Sequence, residues 1–131
     1  MRRQAREAVF KFIFSKLFNS NDEGLFNVVI KDLNDDDKKF ATTLLSAVEK
    51  DMEKNLSVIS DLAIGYKLDR LFNADKCALL IGIAELDNFK ETPIPVVIDE
   101  AVSLSAKYST EKSTDFVNGI LSNYVRGKIN G

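Results

Sequence analysis

An all-α fold follows from three features of the sequence. Apolar residues recur at three- and four-residue spacing almost throughout, proline occurs only at Pro93 and Pro95, and no stretch alternates polar and apolar long enough to make a strand. A chain of 131 residues is one domain's worth. It can bury about two thirds of its unfolded surface. Residues 1–131 are therefore read as a single domain without internal repeat or low-complexity segment.

The first helix is predicted from about Arg3 to Asn19. Ala5, Ala8, Val9 and Phe12 share one face, while Phe10, Phe14 and Phe18 form a second stripe nearly opposite. Either this helix is central and buries both stripes, or one stripe faces a partner. Ser20-x-x-Glu23 is a capping-box pattern that opens a second helix through Leu33. Asn34 supplies the next N-cap, and Asp35, Asp36 and Asp37 fall in the first turn, where the helix dipole favours acids. That third helix is expected to reach Asn55, with Phe40, Leu44, Ala47, Val48 and Met52 on its stripe. Ser57 then opens a short fourth helix that ends near Gly65.

Asn73 or Asp75 starts a fifth helix to about Phe89, whose apolar face holds Leu79, Ile83 and Leu86. Pro93 and Pro95 sit in the connection and first turn of a sixth, which continues to Tyr108. Ser113 caps a seventh, where Phe116, Val117, Ile120, Leu121, Tyr124 and Val125 form the stripe, and the tail beyond Val125 is expected to fray. Asn118 and Gly119 interrupt this apolar run. A mid-helix glycine costs about 1 kcal/mol against alanine, so the pair predicts a close backbone approach and a polar contact there.

Composition narrows the chemistry. A hydrophobic fraction of 45% and a charged fraction of 29% are ordinary for a soluble globular protein. No apolar run approaches membrane-spanning length, and the opening residues do not read as a signal peptide. The single Cys77 rules out an internal disulfide framework and suits a reducing compartment, so a cytoplasmic location is expected. The chain has no histidine, which removes the commonest general base and metal ligand. Neither a glycine-rich phosphate loop nor a catalytic carboxylate pair is evident, and Asp35–Asp37 lack the ligand alternation of a calcium loop. Neither enzymatic activity nor a cofactor is expected. The net charge is −2, yet residues 1–20 hold five basic side chains against one acid. That clustering of positive charge suits a polyanion.

The stretch from Thr92 to Leu121 is similar to the C-terminal signature of the NusB family of transcription antitermination factors. The matching residues include Pro93, Val96, Ile98, Asp99, Glu100, Ala101, Val102 and Leu104, followed by Ser113, Phe116, Val117, Asn118, Gly119 and Leu121. The start, with Arg2, Arg3, Ala5, Arg6 and Glu7, resembles the family's opening; Phe40, Leu44 and Val48, and then Asp75, Leu79, Glu85 and Leu86, resemble later elements. The chain departs from the pattern at Ala47, Leu80, Ala84 and Asp99, where the family often has Gly, Arg, Tyr and Asn. The lost arginine and aromatic would weaken contacts to RNA or to a protein partner.

The resemblance implies a compact bundle of about seven helices in two perpendicular three-helix subdomains. It also implies a partner, the ribosomal protein NusE, with which the chain would bind the single-stranded boxA element of ribosomal-RNA leader transcripts within the RNA polymerase antitermination complex. On this reading Arg2, Arg3 and Arg6 neutralise phosphates, Phe14, Lys112, Phe116 and Asn118 lie near the RNA path, and Glu85 meets the protein partner. Aromatic and guanidinium planes suit stacking on unpaired bases. Three arginines on single-stranded phosphates would contribute about −2 to the log–log salt slope. The alternative is a helical interaction module, for example a homodimer, with little RNA affinity of its own.

Overall fold

The computed structural model describes residues 2–17, 24–65 and 71–130. Among these, seven helices and no strand occur. They are α1 (Arg2–Leu17), α2 (Leu25–Ile30), α3 (Asp35–Lys50), α4 (Met52–Leu62), α5 (Asn73–Asn88), α6 (Ile94–Tyr108) and α7 (Glu111–Asn130). The predicted capping box at Ser20–Glu23 and the stripe residue Phe18 lie outside the described residues.

Helix α5 organises the bundle. From Cys77 to Glu85 every residue is buried, so the helix is enclosed on all sides rather than along one face. Helices α1, α3 and α4, which precede it in the chain, and α6 and α7, which follow it, all pack on it. Its glycine allows this crowding: a Cβ at Gly82 would lie 2.9 Å from Leu121 Cδ1 and 3.4 Å from Ala101 Cβ, so α7 and α6 close against bare backbone. The expected close approach at Gly119 is not found, because a Cβ there would meet nothing within 4 Å. Asn118 is exposed beside it. The glycine that packing demands is Gly82, inside a sequence that reads as uniformly apolar.

Helix α1 is central. Among the described stripe residues, Ala5, Ala8, Val9, Phe10 and Phe12 are buried and Phe14 is half-buried, so the helix buries residues of both stripes. Phe10 stacks on Phe14 at 5.9 Å and on Tyr108 of α6 at 4.7 Å between ring centroids. At the start of α3, Asn34 caps as expected, its side-chain oxygen accepting from the Asp37 N–H at 2.8 Å.

Several boundaries differ from the sequence reading: α2, expected through Leu33, ends at Ile30. Helix α3 stops at Lys50, because Asp51 leaves helical geometry at φ −114°, ψ 22° and begins α4, whose first bond runs from the Asn55 N–H to the Asp51 carbonyl. No glycine or proline marks that break. Thr110, not Ser113, caps α7: its hydroxyl accepts from the Ser113 N–H at 3.2 Å. Beyond Val125, α7 continues to Asn130 instead of fraying. Leu80 and Ala84 are fully buried in α5, so these departures from the family pattern alter packing and not a binding surface.

Candidate nucleic-acid interface

Arg2, Arg3 and Arg6 occupy the first two turns of α1 and line one cleft of about 840 Å³ together with Asn34, Asp37, Glu91 and Glu100. Each is paired with a carboxylate, but at different depths. Arg3 is exposed and forks onto Glu100 of α6, donating from Nε to Oε2 at 3.1 Å and from Nη2 to Oε1 at 3.3 Å. The pairing holds the Arg3 guanidinium above its ordinary pKa, chiefly through the hydrogen bond to Glu100. The Arg2 Cζ sits over the Phe40 ring, 4.4 Å from its centroid, and Nη1 reaches Glu91 at 3.5 Å.

Arg6 is different. Its side chain is 6% exposed, and it donates from Nε and Nη2 to the two oxygens of Glu85 at 2.7 and 2.6 Å. Glu85 is itself 1% exposed. Arg6, expected on phosphate, and Glu85, expected at the partner protein, are therefore held against each other inside the bundle. Both groups are consumed by a charge-assisted, two-bond fork, which leaves neither an open face. Residues 79 apart in sequence give no local hint of such a pair.

The aromatic candidates lie elsewhere. Phe116 and Lys112 of α7 line a cavity of about 670 Å³ with Leu71, Phe72, Asp75, Thr110 and Ser113. Phe14 opens on a neighbouring cavity of about 370 Å³ with Tyr108, Asn73 and Ser109, and the two cavities share Phe72 and Thr110. Phe14, Lys112 and Phe116 are thus brought to one region, joined by Phe72, whose side chain is exposed. Asn118 lines neither cavity.

Sequence reasoning missed Phe72, Tyr108 and Asp75. Tyr108 donates to Glu7 at 2.6 Å, and Lys107 donates to the same carboxylate at 2.8 Å. Partial burial works against the Glu7 carboxylate, but the hydrogen bonds from Lys107 and Tyr108 outweigh it and set its pKa below the ordinary value. Asp75 is buried; its Oδ2 accepts from the Ser113 hydroxyl at 2.9 Å, while Oδ1 has no donor among the described residues. Asp75 carried a signal as a possible helix start, but its side chain points to chemistry and not to capping. Burial pushes the Cys77 thiol up to about 12, the behaviour of a small core residue and not of a nucleophile.

Five described helices packed on a buried α5, with an arginine cleft and joined aromatic cavities at the surface, define a small all-α bundle built for binding. The chain belongs to the NusB family, which it matches over residues 3–126. It is 33% identical to the transcription antitermination protein NusB of Natranaerobius thermophilus, covering 92% of this chain and 91% of that one. Among solved structures it is similar to T. maritima NusB, with a TM-score of 0.87 and 30% identity over 94% of this chain and 89% of that one. It is also similar to a chain in a crystal structure of antitermination factors NusB and NusE in complex with dsRNA, with a TM-score of 0.84 and 30% identity over 96% of each. Among the described residues no helix is long and apolar enough to cross a membrane.

Proposed function

We propose that this chain is a non-enzymatic, cytoplasmic RNA-binding antitermination factor. Together with NusE it binds the single-stranded boxA element of ribosomal-RNA leader transcripts, and within the RNA polymerase antitermination complex it supports processive elongation and ribosomal-RNA maturation. The observation that carries this reading is the meeting of Phe14, Phe72 and Phe116, from three separate segments, around two joined cavities. Aromatic faces reached through an opening suit unstacked bases, which no duplex offers. Lys112 beside them suits a phosphate, and the Asp75 oxygen suits a donor from a ligand. Arg2 and Arg3 serve the phosphates at the other end of the path. Arg6 acts by holding the first turns of α1 in place through Glu85. Asn118, exposed on α7, serves as a peripheral polar contact.

The similar chain crystallised with NusE and dsRNA supports NusE and RNA as partners; the single strand rests on the aromatic cavities alone. The test is fluorescence anisotropy of a labelled boxA-type RNA against a scrambled one, with and without NusE. Preferential binding of boxA, strengthened by NusE, is the expected result. Equal, weak binding of both RNAs in both conditions would refute the reading and favour a protein-interaction module, with light scattering to detect a homodimer.

A further inference from the structure

The arginine cleft is not a basic surface. Arg2, Arg3 and Arg6 are matched in it by Asp37, Glu91 and Glu100, so the residues lining it carry no net charge. The concentration of positive charge in the first 20 residues is cancelled by acids brought in from α3, α6 and the α5–α6 connection. Glu100 occupies the same two-toothed edge of Arg3 that a phosphate would take, since carboxylate and phosphate both accept a bidentate fork. The Phe40 ring sits 4.4 Å from the Arg2 Cζ while Glu91 lies 3.5 Å from its Nη1. Losing Glu91 would therefore free an N–H group while the ring contact stays.

Depth separates these pairs from Arg6–Glu85. Each of the two outer pairs keeps a well-exposed member, Arg3 at 69% against Glu100 at 16% and Glu91 at 62% against Arg2 at 44%, whereas Arg6 and Glu85 are 6% and 1%. Solvent-exposed ion pairs contribute little to stability and exchange partners readily. A buried, fully bonded pair does neither.

From this geometry we infer that Glu91 and Glu100 are affinity-setting residues, internal competitors that a phosphate chain must displace from Arg2 and Arg3. They lower the affinity for any phosphate chain by the same factor. A polyanion held by its phosphates alone then falls below useful binding, while one that also fills the aromatic cavities stays bound. That consequence for RNA rests on the proposed function; the competition itself does not.

The experiment uses two probes, inorganic tripolyphosphate and labelled boxA-type RNA. Each is titrated at low salt into the wild-type chain, Glu91→Gln/Glu100→Gln, Arg2→Gln/Arg3→Gln and the fourfold variant, all checked for equal helicity. Glutamine keeps the size and the acceptor oxygen but removes the charge. The acid-to-amide pair should tighten tripolyphosphate about three- to tenfold, the range two exposed ion pairs allow, and the gain should vanish in the fourfold variant. Unchanged affinity, or a gain that persists without the arginines, overturns the inference whatever the RNA does. A tripolyphosphate gain with no RNA binding by any variant upholds the competition and sinks the RNA reading alone.

Discussion

Glu85→Ala would leave the Arg6 guanidinium enclosed with neither of its two bonds, which are 2.7 and 2.6 Å long in the intact pair. Breaking a buried ion pair from one side costs about 3–5 kcal/mol, because the remaining charge stays out of water. Against a total stability of about 5–15 kcal/mol, that is about a fifth of the whole or more. With a urea slope of about 2 kcal/mol per molar, the unfolding midpoint should fall by about 2 M, read from helix ellipticity. Arg6→Met/Glu85→Leu removes both charges and fills the same space, and should return to within about 1 kcal/mol of the wild type. The double variant should also leave the salt dependence of RNA binding unchanged, since Arg6 has no open face. A Glu85→Ala cost below about 1 kcal/mol would refute the reasoning, as would a double variant as unstable as the two single changes summed.

Arg2→Gln/Arg3→Gln should flatten the log–log salt slope of RNA binding by about 1.4, at about 0.7 per phosphate contact; a further loss of about 0.7 on adding Arg6→Met/Glu85→Leu would return Arg6 to the RNA. Gly82→Ala should destabilise by about 1–3 kcal/mol through overpacking against Leu121, less what helix propensity returns, whereas Gly119→Ala, in open space, should stabilise by up to about 1 kcal/mol. Thermal melts of the two variants compare the same chemical change at two sites, and equal shifts would contradict the packing. The depressed Glu7 carboxylate contributes stability that is present above its unfolded pKa and lost as pH falls through its lower folded value. Tyr108→Phe should shrink that acid-side loss and cost about 1 kcal/mol at neutral pH; urea midpoints at pH 3 to 7 measure both.

Much of the fold was legible because helical periodicity is a local signal. The number and order of helices, the Asn34 cap and the prolines at the start of α6 all follow from neighbouring residues. The break at Asp51 was not legible, since an aspartate in a polar stretch can cap or continue a helix and only its backbone angles decide. Ser113 and Thr110 are both reasonable caps; Asp75, 38 residues away, captures the serine hydroxyl and leaves the role to the threonine. The site was legible by residue type and illegible by depth. Arg2, Arg3 and Arg6 look alike in sequence, and it is the fold that places the buried Glu85 under one and the shallower Glu91 and Glu100 beside the others. Phe14 and Phe116 were singled out, but Phe72, which joins their cavities, follows the undescribed residues 66–70 and carries no periodic signal.

The central position of α5 also bears on how the chain is made. Ribosomes deliver α1, α3 and α4 before residue 73 exists, and the apolar faces of all three close on a helix not yet synthesised. Until Asn88 clears the exit tunnel, α1, α2 and α3 can cover one another only in part, and the surfaces that α5 closes stay open. The N-terminal helices then condense around a late arrival, and a premature stop anywhere ahead of α5 releases a fragment with its sticky side outward.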